Sequence, residues 1–69
     1  MITLEQIRTK MIEAIQTCGI TKADLSRRLN IKPPTLSQYL SGRAMPALDT
    51  FANICAVLDV DANEILCIK

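Results

Sequence analysis

The chain has 69 residues, 49% of them apolar, yet Tyr39 and Phe51 are its only aromatics and its net charge is +1. That length fits a single domain over 1–69, and the aliphatic composition favours packed helices over a sandwich or barrel. No apolar run approaches the ~18–20 residues that cross a bilayer, and no charged-then-apolar leader opens the chain, so a soluble, cytoplasmic protein is expected.

The first predicted helix spans about 4–17. Thr3 and Gln6 have capping-box spacing, Ile7, Met11, Ile15 and Cys18 recur at helical intervals, and Gly19 suits the left-handed position that ends a helix. Thr21 and Asp24 repeat the capping signal. Leu25 and Leu29 then give a second helix of about two turns, and Asn30 tolerates the positive φ of a stop. Pro33 and Pro34 open a third helix rather than breaking one, because the first helical N–H has no partner to lose. This helix carries Leu36, Tyr39 and Leu40 inward and stops at Ser41-Gly42. After a loop at 43–46, Leu48, Phe51, Ile54, Cys55 and Leu58 mark the apolar face of a fourth helix, with Asp49 assisting the poor cap Ala47. Asp61 with Glu64 starts a short fifth helix bearing Ile65 and Leu66.

Charge is unevenly spread along these elements. Arg8, Lys10, Lys22, Arg27, Arg28, Lys32 and Arg43 face only Glu5, Glu13 and Asp24 in residues 1–43, whereas 44–69 set Lys69 against Asp49, Asp59, Asp61 and Glu64. A basic side of this kind suits a polyanion. Cys18, Cys55 and Cys67 have neither paired spacing nor a histidine to share a metal, so they read as small hydrophobes and no cofactor is expected. With no histidine and no phosphate-cradling glycine loop, the chain does not read as an enzyme.

Two short helices joined by a tight turn at Asn30-Ile31-Lys32 give a helix-turn-helix at 21–40. The order Ile20-Thr21-Lys22-Ala23-Asp24-Leu25-Ser26-Arg27-Arg28-Leu29-Asn30-Ile31, then Thr35-Leu36-Ser37-Gln38-Tyr39-Leu40-Ser41-Gly42, resembles the Cro/repressor (Xre) helix-turn-helix family of bacterial and phage regulators. The likeness continues through Pro46, Leu48, Phe51, Ile54, Leu58-Asp59-Val60 and Glu64-Ile65-Leu66. It implies an all-α, five-helix, lambda-repressor-like DNA-binding domain. Four positions depart from the family pattern. Lys22 stands where a glutamine usually braces the recognition helix, and Asn30 replaces a turn glycine. Ile15 and Leu40 replace an Arg–Glu pair, a matched apolar exchange that predicts contact between the two.

The resemblance also implies a docking mode, with the helix at 33–40 in the major groove. Base contacts are expected from Pro33, Pro34, Thr35 and Gln38, with Gln38 able to pair bidentately with adenine. Phosphate contacts are expected from Thr21, Lys22, Lys32, Ser37, Ser41 and Arg43; Arg27 and Arg28 are candidates of which at least one is a solvated charge. The implied function is sequence-specific binding of double-stranded DNA as a transcriptional regulator, most readily a repressor, on an inverted-repeat operator. A homodimer is expected, with the tail Ile65-Leu66-Cys67-Ile68 as a candidate surface and packing of that tail on its own core as the alternative. Such a protein would be cytoplasmic and nucleoid-associated. The competing reading is a protein-interaction module, such as an antitoxin or adaptor, built on the same fold.

Overall fold

The Thr3 hydroxyl accepts the Gln6 N–H and the Gln6 side chain accepts the Thr3 N–H in return, so a complete capping box opens α1 (Leu4–Thr17). In the computed structural model, which describes all residues from Met1 to Lys69, four more helices follow: α2 (Lys22–Leu29), α3 (Pro33–Ser41), α4 (Leu48–Leu58) and α5 (Ala62–Ile65). There are no strands. The all-α, five-helix expectation is met, helix by helix.

Three of the helices end alike. Asn30 (φ 55°), Gly42 (φ 81°) and Asp59 (φ 54°) each turn left-handed after α2, α3 and α4. At each end the following two N–H groups fold back onto carbonyls of the last turn: Asn30 to Arg27 and Ile31 to Ser26, Gly42 to Tyr39 and Arg43 to Gln38, Asp59 to Ala56 and Val60 to Cys55. These are Schellman endings, which satisfy carbonyls that would otherwise be orphaned. Asn and Asp accept the left-handed conformation with modest cost, so only one of the three positions carries glycine.

Each helix contributes to one core. Met11 and Ile15 of α1, Leu25 and Leu29 of α2, Leu36 and Tyr39 of α3, Phe51, Ile54 and Cys55 of α4, and Ile65 of α5 are buried together. The two-turn helix α2 packs against both α3 and α4, which gives it the tertiary support its length demands. Ile15 and the half-buried Leu40 both line a cleft of about 410 Å³, together with Lys22 and Leu25 of α2.

Two expectations need correction. Leu48 lies on the apolar face of α4, yet it is 85% exposed while Phe51, three residues on, is buried. Ala47 supplies no side-chain cap at that helix end. The apolar tail, taken whole as a candidate dimer surface, is divided: Ile65 belongs to the core and Leu66 is half-buried, leaving Ile68 as its exposed apolar member. Lys69 ties the tail back through a 2.9 Å ion pair with Asp61. That ammonium and the Asn63 N–H hold the Asp61 carboxyl below its ordinary 3.8. The stabilisation is therefore present above that value and is lost as pH falls below it.

All three thiols are free, with Cys55 buried and Cys18 and Cys67 half-buried. Burial, reinforced by the Asp61 charge, pushes the Cys55 thiol up and suppresses its reactive thiolate. Native alkylation followed by mass spectrometry is expected to add two labels quickly and a third only on unfolding. Rapid triple labelling would show that the α4 packing opens readily.

Candidate nucleic-acid interface

The ten residues singled out on sequence grounds lie at the start of α2, along α3 and in the turn beyond it. Thr21, Lys22, Lys32, Pro33, Pro34, Ser37, Gln38, Ser41 and Arg43 are exposed, and Thr35 is half-buried. Leu36 and Tyr39, interleaved among them, are buried, so α3 has one anchored face and one open face.

The two helix starts differ chemically. At α2 the Thr21 hydroxyl oxygen accepts the Asp24 N–H, which leaves its own proton free to donate. The Lys22 and Ala23 N–H groups make no backbone bond, and the Lys22 side chain stands exposed beside them. Free N–H groups, a hydroxyl and a cation at a helix start form a receptive end for an anionic oxygen. At α3 the first two residues have no N–H, and those of Thr35 and Leu36 already turn back to the Lys32 carbonyl. The α3 start therefore offers proline rings and a threonine, with no free donor from the helix backbone until the side chains of Thr35 and Ser37.

The end of α3 forms a second cluster. Ser37, Gln38, Ser41 and Arg43 surround a shallow depression of about 270 Å³. The Gln38 carbonyl accepts from the Arg43 N–H at 3.0 Å, the Ala44 N–H at 3.3 Å and the Ser41 hydroxyl at 3.1 Å. The residue with the most capable amide is thus also the post on which the following turn hangs. Ser41 spends its only proton inside the helix, so in this rotamer it presents no donor to an outside anion.

The charge pattern separates the cations. Asp24 pairs with both Arg27 and Arg28, the latter at 2.9 Å, which assigns these two arginines to an exposed local network on α2. Lys22, Lys32 and Arg43 have no acidic partner. Sequence reading passed over two neighbours of the candidate residues. Gln16 lines the cleft beside Thr21 and Lys22, and Arg8 lies against Gly42 at the end of α3. Arg8 sits two helical turns before Ile15 on the same face of α1, and that spacing was the available signal.

Among known families, a helix-turn-helix family model matches residues 11–65. The match reaches further toward the N-terminus than the resemblance that begins at Ile20, taking in the buried Met11 and Ile15 of α1. No curated protein and no solved structure matches the chain.

Proposed function

The chain belongs to the Cro/repressor (Xre) helix-turn-helix family of DNA-binding regulators, and from that premise we propose that it binds a specific double-stranded operator as a repressor. In this reading the open face of α3 enters the major groove, while the start of α2 and the turn after α3 grip the flanking phosphates. The observation that carries the proposal is the coincidence of three unpaired cations, Lys22, Lys32 and Arg43, with the exposed Ser37 and Gln38 and the half-buried Thr35. Gln38 reads an adenine edge, and Thr35 and the two proline rings contact thymine methyls or groove shape. Thr21 and Ser37 donate to phosphate oxygens.

Three cations per chain give one copy modest affinity, so the proposal includes two copies on an inverted repeat with half-sites about one helical turn apart. The exposed Leu48 and Ile68, with Met1, Ile2 and Leu4 at the other end of the chain, are apolar side chains available to such a pairing. Selection of bound sequences from a random DNA pool tests the whole reading. Enrichment of an inverted repeat is expected, and absence of any salt-sensitive binding at micromolar protein would transfer the chain to the interaction-module class.

A narrower expectation concerns Lys22. Lys22→Ala should weaken specific and non-specific DNA alike and reduce the slope of log K against log salt by roughly one. Titrations at several salt concentrations measure this directly. An unchanged slope would remove Lys22 from the phosphate contacts.

A further inference from the structure

Arg8 is a half-buried cation of α1, and the DNA contacts assigned above do not use it. Its Nε is fully shielded from solvent and has no hydrogen-bond partner. No carboxylate pairs with the guanidinium. Instead the side chain lies against the end of α3: a Cβ built on Gly42 would stand 3.3 Å from the Arg8 Cδ and 3.9 Å from its Nε. Gly42 is favoured by its left-handed φ of 81°, and a side chain there would also press on the arginine beside it.

The backbone just before Gly42 is the carbonyl end of α3. The Leu40 and Ser41 carbonyls, the last two of α3, accept no hydrogen bond from any backbone or side-chain donor. They form the negative end of the helix, on the same turn that carries Arg43. A phosphate approaching Arg43 would meet that negative end unless another positive charge offset it. Arg8 supplies such a charge without a carboxylate to cancel it.

We propose that Arg8 is a positioning residue of the DNA interface, holding the turn at 42–43 and offsetting the carbonyl end of α3 so that Arg43 engages a phosphate. The inference rests on the DNA-binding reading above. It assigns α1 a part in recognition that lies outside the helix-turn-helix itself.

A double-mutant cycle on a fluorescein-labelled duplex carrying the pool-selected site tests it. Arg8→Met keeps the stem and removes the charge; circular dichroism checks that the helices persist. Arg43→Ala is expected to cost affinity in the wild-type background and at least about threefold less in the Arg8→Met background, the mark of coupled residues. The salt slope of Arg8→Met should fall toward that of Arg43→Ala, and Arg8→Lys should retain most of the wild-type slope. A merely structural arginine would leave the slope unchanged. Independent losses, or a wild-type slope in Arg8→Met, would overturn the proposal while leaving DNA binding intact. If Arg8→Met does not fold, Arg8→Lys decides: a folded lysine variant that loses a full unit of slope overturns the role given to the charge. A wild-type protein that binds no duplex overturns the DNA reading first, and this inference with it.

Discussion

Leu36→Ala should lower the unfolding free energy by about 2–5 kcal/mol, the largest effect expected of any single truncation on α3. Leu36 is 1% exposed and lies between Thr35 and Ser37, so it anchors the helix from within the stretch that faces outward. Removing its side chain forfeits burial and leaves a cavity among Leu25, Tyr39 and the other core residues. In a domain of this size the loss is comparable to the whole margin of stability. Urea denaturation monitored by circular dichroism measures it. A loss under ~1 kcal/mol would mean that neighbouring side chains close the gap. Because α3 is held by few residues, DNA affinity should fall along with stability, and high-affinity DNA should partly restore the folded population.

Gln38→Ala should act in the opposite manner, leaving stability nearly unchanged and erasing preference at one base step. Its side chain is exposed, so truncation removes no core contact. A bidentate amide–adenine pair is worth roughly 1–3 kcal/mol of discrimination, about 5- to 150-fold between the preferred and a substituted base. Binding to the selected operator and to operators altered one step at a time reads this out. Equal weakening on every sequence would move Gln38 from the base contacts to the phosphate contacts. The backbone of Gln38 keeps its bonds to Arg43, Ala44 and Ser41 whatever the side chain, so the following turn should survive.

The helix boundaries were legible because each is written locally. A capping threonine, a proline pair at a first turn and an Asn, Gly or Asp able to turn left-handed act within four residues of the end they define. Leu48 was misplaced for a complementary reason. Periodicity gives the face on which a side chain lies, but not how far the covering helices extend along that face. The tail poses the same problem, since its hydrophobicity asks for burial without naming the partner. Ile65 finds its own core, whereas Ile68 does not.

The candidate interface was legible to a similar depth. Exposure of Ser37 and Gln38 follows from the burial of Leu36 and Tyr39 on the opposite face of α3. The Asp24 pairing with Arg27 and Arg28 lies at helical spacing and was open to inspection in the sequence. Arg8 beside Gly42 was legible only in part: its spacing from Ile15 places it on that face of α1, but the approach of α1 to the end of α3 is set by tertiary packing.

The proline pair at the start of α3 has a thermodynamic consequence. Two pyrrolidine rings restrict φ at adjacent residues of the unbound protein, so the leading edge of α3 loses little further conformational entropy on any association made there. Recognition at this edge should therefore resemble rigid docking, with a heat-capacity change accounted for by the contact area alone and no added contribution from coupled folding.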